Sequence, residues 1–400
     1  MQRILSKKVS GVSRLFLVIV LITLTIYIIN YYLQTRSGAF STILGIDATP
    51  DLLVQLRSLS ALVIVALSII YNVIYIPRPT YAYAFLTLLN VQYIYYTITA
   101  DLPGGILMYV NYYTSMSLWT YIYVFFYAFF SKNPALRIDK YIIFYVLLCA
   151  VLFILNFYSL TSAGISWQYI ESYFLITSVP FVLGLKKYKS ALIWLIVICS
   201  LLAAKRTGFI TLILTLLFAA NFNKLLSPRF WKSFPKYIFI SIILLLLCYF
   251  VLGEHVQTLF DRFANISEDG GSGRDMVYAD VWNMIKSSNY SHIIFGHGYN
   301  KVMTDAELGF SAHNDFLEIL YDFGICGLFA FCGFVASASN LRTYRTFSYP
   351  QKSALLVFVI LSIFSHLVLV TSYVIPILVF WAYLPSYKLN RYNNLTPYQL

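Results

Sequence analysis

The chain has 400 residues, of which 60% are hydrophobic and only 11% are charged. A soluble globular domain carries about 25% charged residues, so this composition excludes the ordinary soluble classes and predicts a polytopic membrane protein. The apolar runs are about 15 to 25 residues long, which favours transmembrane helices over the short alternating strands of a barrel. The net charge of +12 is mostly an orientation signal and gives no support for nucleic-acid binding.

The first apolar run, 15–33, follows a basic start. It is longer than a typical signal-peptide core, and no small-residue cleavage site follows it. We therefore predict that it is retained as the first transmembrane helix. The five cysteines all lie inside apolar runs without a C-x-x-C pair, which predicts packed core residues rather than a disulfide framework or a zinc site.

Twelve apolar runs predict an all-α polytopic membrane protein with about 12 transmembrane helices. Three of the runs are short, so we expect between ten and thirteen crossings. The runs are 15–33, 58–76, 80–99, 108–130, 141–160, 168–185, 190–204, 208–222, 237–253, 319–338, 353–371 and 374–388.

The basic residues predict the orientation of these helices through the positive-inside rule. With both termini in the cytoplasm, the inner segments hold 20 of the 28 Lys and Arg residues and the outer segments hold 8. Among the 16 acidic residues, Asp139 alone falls on the inner side. Every loop then satisfies the rule.

We divide the chain into three parts. Residues 1–253 form a transmembrane bundle of about nine helices, 254–318 one large external loop containing short helices, and 319–400 the C-terminal transmembrane helices with a short cytoplasmic tail. The loop holds ten of the 16 acidic residues, counting Glu318 at its end, and four of the five histidines. The polar chemistry is therefore expected on the extracytoplasmic face.

The centre of this loop contains a candidate anion site at Arg274. The run GGSG at 270–273 predicts a turn, and Ser272 and Asp275 have the S-x-x-D spacing of a helix start. In the first turn, the guanidinium would join unpaired backbone N–H groups, an arrangement suited to phosphate. The alternative is a solvated loop arginine.

A second basic pair, Lys205 and Arg206, interrupts the apolar sequence LLAAKRTGFITL on the outer side. Charges inside a bilayer cost a few kcal/mol, so such residues normally face a cavity or the interface. The alternative is that both side chains snorkel to lipid head groups.

The stretch SAHNDFLEILYDFGICGL, 311–328, combines a histidine with three carboxylates at the entry to an apolar run. If the helix includes His313, then Asp315, Glu318 and Asp322 lie on a different face from the imidazole. A histidine at this boundary is suited to accept a proton at neutral pH. The alternative is a loop histidine that caps the helix.

Other polar residues give weaker signals. His366 falls inside the run 353–371 and is interpreted as a packed residue, whereas Glu171 at the outer end of the sixth run is a candidate to line a cavity. His292 and His297 lack a clear third ligand, so no metal site is predicted.

These segments, in this order, resemble the O-antigen ligase/polymerase family of bacterial envelope glycan enzymes. HNDFLEILYDFGICGL is similar to the histidine-headed run that leads into a G-x-x-G helix, and GRDMVYADVWNMI…FGHGYN to the preceding Arg-Trp-Gly segment. AAKRTGFITL resembles the family's short arginine–glycine segment, although Lys205 stands where a serine is usual. The specific resemblance covers roughly residues 200–330.

The resemblance implies a cofactor-free glycosyltransferase in the bacterial inner (cytoplasmic) membrane, with its active site on the periplasmic or external face. Its partners would be a polyprenyl-diphosphate-linked glycan donor, the acceptor, membrane lipids and a chain-length regulator. The implied catalytic residue is His313, and the implied diphosphate-binding residues are Arg206 and Arg274. Further candidate supporting residues are Glu318, Lys205, Asn314 and Glu171.

The chemistry agrees with this assignment, because two arginines and a helix N-terminus can stabilise a diphosphate leaving group without a metal. We expect an inverting transfer that polymerises O-antigen, capsule or exopolysaccharide repeat units, the commoner use of such chains in polysaccharide operons. The alternative is a ligase that moves the finished glycan to lipid A core. A lipid-linked oligosaccharide flippase or transporter is disfavoured, because the first five runs contain no Lys, Arg, Asp, Glu or His.

Overall fold

A computed structural model describes the chain at residues 10–35, 50–77, 80–102, 105–134, 136, 138–162, 172–203, 205–219, 270–307, 309–342 and 348–392. Within these ranges the secondary structure is entirely helical. The fourteen helices found there are α1 (Gly11–Thr35), α2 (Pro50–Ile74), α3 (Tyr81–Thr99), α4 (Ile106–Lys132), α5 (Asp139–Ser162), α6 (Ser172–Gly184), α7 (Lys189–Leu202), α8 (Arg206–Ala219), α9 (Gly270–Ser287), α10 (Tyr290–Phe295), α11 (Lys301–Asp305), α12 (Asp315–Ala338), α13 (Tyr349–Phe364) and α14 (Thr371–Tyr392).

The all-helical, apolar character predicted from the sequence is confirmed for these residues. Eleven of the twelve predicted spans overlap helices, and the remaining one, 237–253, lies outside the described residues. Four of the described helices, α1, α2, α5 and α12, are long and apolar enough to cross a membrane. The apolar stretches of α6, α7, α8, α13 and α14 are shorter, so the number of crossings stays a prediction.

The predicted span 353–371 is wrong in its second half. Helix α13 ends at Phe364, and the residues that follow it are irregular up to the start of α14. The backbone N–H groups of Leu367 and Val368 donate to Oδ2 of Asp315, at 3.1 and 3.0 Å. A carboxylate of another helix thus takes the hydrogen bonds that a continuing helix would have made to its own carbonyl oxygens.

Helix α12 begins at Asp315 and does not include His313. The side-chain oxygen of Asn314 caps it by accepting the N–H groups of Phe316 and Leu317, at 3.0 and 3.1 Å. His313 takes a left-handed conformation before the cap, with φ 49°. The helix therefore does not include His313, which lies in the turn that precedes it.

Three carboxylates share one face of α12, at spacings of three and four residues. Asp315, Glu318 and Asp322 are all buried, with at most 5% of their surface exposed. The carboxylate of Asp322 accepts the N–H groups of residues 300–302 at distances of 2.7 to 3.2 Å. Asp322 therefore fixes the start of α11 against the middle of α12.

Helices α10 and α12 meet at backbone contact. Gly324 has φ 66°, and a Cβ there would overlap the carbonyl of Ile294. Gly296 has φ 93°, and a Cβ there would overlap the backbone at Asp322. The N–H of Gly298 donates to the carbonyl of Asp322 at 2.8 Å. Only glycine permits this approach, which holds the segment after α10 against α12.

We expect Gly324→Ala to destabilise the folded protein much more than Gly309→Ala. Both glycines have positive φ values, 66° and 64°, so a side chain adds backbone strain at either position. A Cβ at Gly309, however, meets nothing within 4 Å. Thermal unfolding of the detergent-purified variants measures the difference, and equal losses would contradict the close contact between α10 and α12.

Candidate active site

The N-terminus of α8 supplies the first cationic part of the site. Lys205 directly precedes the helix, and its carbonyl accepts the N–H of Phe209 at 3.0 Å. Arg206 is the first helical residue and is 9% exposed. Gly208 allows close packing on α6, since a Cβ there would lie 3.0 Å from Ile176. The unpaired N–H groups of a helix N-terminus and the two side chains make this region strongly positive.

Helix α9 brings Arg274 to the same place. The chain is left-handed at Gly273, with φ 72°, and Arg274 follows directly. Both terminal nitrogens of its guanidinium donate to Oγ1 of Thr207, each at 3.4 Å. Because Thr207 is the neighbour of Arg206, the two predicted arginines lie at the same helix end. A guanidinium has five N–H donors, and this contact uses two of them.

A small apolar cluster holds α9 in position. Val277 and Val281 pack with Val302, Ala312 and Tyr321, which come from α11, from the segment before α12 and from α12 itself. The helix predicted in this region is therefore present. It begins at Gly270, whereas Ser272 as the N-cap would place the first helical residue at Gly273.

His313 faces these cations. Its side chain still reaches solvent, but partial burial, together with the nearby charges of Arg274 and Lys205, lowers the pKa of the imidazole to about 4. At neutral pH the ring is therefore uncharged. A neutral imidazole can accept a proton, which a protonated one cannot.

His366 is a member of the site that sequence reasoning missed. Its ring centroid lies 4.6 Å from that of His313. Its Nε2 pairs with Oγ of Ser311 at 2.7 Å, and its Nδ1 lies 3.6 Å from Oε1 of Glu318. Because α13 ends at Phe364, His366 lies in the irregular segment that follows the helix. In the sequence, His366 is a single histidine in an apolar run, and this pattern does not distinguish a site residue from a packed one.

Two of the predicted supporting residues act on the turn that carries His313. The buried carboxylate of Glu318 interacts with the backbone of Ala312 and His313, and Asn314 caps α12. Glu171 lies outside the described residues.

The structure therefore brings His313, Arg274 and Lys205 into one electrostatic group beside Arg206. Its excess of positive charge and its helix N-terminus suit an anion, and phosphate in particular. Among the described residues, no three His, Cys, Asp or Glu side chains are arranged to hold a metal ion.

The comparisons with known proteins agree with the chemistry of this site. Residues 191–332 match the family model described as O-Antigen ligase. The match runs from α7 into α12 and includes Lys205, Arg206, Arg274 and His313. Searches of curated proteins and of solved structures each returned no significant match. Residues 191–332 are thus similar to the O-antigen ligase domain, which agrees with the resemblance to the O-antigen ligase/polymerase family found in the sequence.

Proposed function

We propose that this protein transfers a glycan from a polyprenyl-diphosphate-linked donor to an acceptor hydroxyl, on the outer face of the bacterial inner membrane. The match of residues 191–332 to the family model described as O-Antigen ligase supports glycosyl transfer of this type. The observation that carries the proposal is the position of His313 beside Arg274 and Lys205, at the N-terminus of α8. This arrangement combines an anion site with a proton acceptor.

The donor diphosphate occupies the cationic part of the site. Arg206 and Arg274 bind its oxygens, and Lys205 adds a third positive charge. The diphosphate gains negative charge as the bond to the anomeric carbon breaks, so these contacts strengthen toward the transition state. This stabilisation needs no metal ion, and we expect transfer to persist in EDTA.

His313 accepts the proton of the acceptor hydroxyl. The acceptor oxygen attacks the anomeric carbon from the side opposite the leaving group, and the diphosphate departs with the electron pair of the broken bond. One displacement of this kind inverts the anomeric centre. His366 and Glu318 orient the imidazole, because His366 lies against it and is itself held by Ser311.

Two acceptors fit this mechanism. A polymerase adds the growing chain to another lipid-linked repeat unit, and we favour this reading because it is the commoner use of such chains in polysaccharide operons. The description of the matching family model, O-Antigen ligase, favours the second candidate, in which the finished glycan moves to lipid A core. Both reactions use the same donor site.

Replacing His313 by Ala is expected to lower kcat by about 10²- to 10⁴-fold, because a positioned base is lost. Purified protein, with isolated lipid-linked repeat as substrate and EDTA present, provides the assay. Turnover in detergent also separates an enzyme from a transporter. Unchanged transfer by the variant would remove the base assignment.

The pH profile provides an independent test of the same residue. In the free enzyme the low-pH limb of kcat/KM is expected near 4, since protonation below the pKa of His313 removes the acceptor. A bound diphosphate offsets the charges of Arg274 and Lys205, so the limb of kcat should lie at higher pH. If the low-pH limbs of kcat and kcat/KM fell at the same pH, this would contradict a diphosphate bound near His313, Arg274 and Lys205.

Arg274→Gln is expected to lower kcat/KM by about 10²-fold, because a charge-assisted contact to the leaving group is lost. Arg274→Lys should recover part of the activity, since it keeps the charge without the planar fork. Lys286→Gln is the matched control, because it removes the same charge from an exposed position of the same helix. Equal losses of kcat/KM in Arg274→Gln and Lys286→Gln would show that only the overall positive charge matters, and would contradict a direct contact between Arg274 and the diphosphate.

The glycan profile of a deletion strain distinguishes the two acceptors. Loss of a polymerase leaves a single repeat unit on the end acceptor. Loss of a ligase leaves long chains on the polyprenyl lipid and none on the end acceptor. The second pattern would contradict our preference for polymerisation.

A further inference from the structure

A polar cavity of about 190 Å³ lies apart from the group around His313. Its walls include the aromatic side chains of Tyr27, Tyr31 and Tyr299 and the polar side chains of Arg57 and Asn111. These residues come from α1, α2, α4 and the segment before α11. At about 30 Å³ per water molecule, the cavity has room for about six waters, which is about the size of one sugar ring.

The cavity is connected to the active site through one short segment. His366 contacts the ring of His313 at the start of this segment, and its end lines the cavity with Leu369, Val370, Thr371 and Ser372. Because an extended residue spans at most about 3.6 Å, the cavity wall begins within about 11 Å of His366. An oligosaccharide of a few units covers that distance.

The hydrogen-bonding groups of the cavity suit an acidic ligand. Arg57 is half-buried, and no Asp or Glu is among the described residues of the lining. Ser58 donates to the amide oxygen of Asn111 at 2.7 Å, which leaves the amide nitrogen as a donor. A guanidinium favours a carboxylate or phosphate group, and phenol rings pack against sugar faces.

We propose that this cavity is a glycan subsite that binds an acidic sugar, a pyranose bearing a carboxylate or phosphate group, in the lipid-linked substrate. The inference rests on the proposed function, because that function supplies the glycan. Arg57 pairs with the acidic group, the tyrosines contact the ring, and the 366–372 segment links subsite occupancy to the position of the catalytic histidine.

Direct binding tests the subsite without any transfer reaction. Detergent-purified full-length protein is titrated with glucuronate, glucose and inorganic phosphate, and binding is followed by saturation-transfer NMR. Glucuronate should bind at least about tenfold more tightly than glucose, because glucose lacks the charge. Arg57→Gln should abolish this difference, and Arg57→Lys should retain it.

Two further variants separate this proposal from the proposed function. His313→Ala and Arg274→Gln should keep the preference for glucuronate, even if both abolish transfer or neither affects it. Equal binding of glucose and glucuronate, or a preference unchanged in Arg57→Gln, would overturn the subsite. Displacement of glucuronate by phosphate alone at equal concentration would identify a phosphate site, such as one for a lipid head group, and would overturn the assignment to a sugar.

Discussion

The arrangement of this protein depends on three buried carboxylates along one face of α12. Asp322 fixes the start of α11, Glu318 holds the turn of His313, and Asp315 holds the segment after His366. A buried carboxylate is costly unless hydrogen bonds replace its water. Here backbone N–H groups of three separate segments provide them. Through these hydrogen bonds, α12 fixes the positions of three segments of irregular backbone that apolar packing alone would not fix.

This organisation determines the electrostatics of the site. The cations of α8 and α9 lie near His313, and Glu318 interacts with the backbone of its turn. Partial burial and these cations lower the pKa of the imidazole, which keeps it neutral at pH 7. In the proposed mechanism, a bound diphosphate would offset these charges and make the imidazole more basic, so donor binding and base strength would be coupled.

The sequence predicts what depends on local pattern. Apolar runs predicted the helices, and the spacing around Arg274 predicted a helix start. The break after α13 was not predictable, because its cause is Asp315, about fifty residues away in the chain. The same contact brings His366 to His313. The left-handed turn at His313 likewise follows from tertiary contacts, which hydrophobic periodicity does not encode.

A double-variant cycle between His313 and Arg274 tests the central claim that these residues serve one transition state. Purified wild type, His313→Ala, Arg274→Gln and the double variant are compared by kcat/KM on one lipid-linked substrate. The account predicts strong non-additivity, with the double variant little slower than His313→Ala alone. Losses that simply multiply would show two independent roles and would contradict a shared site.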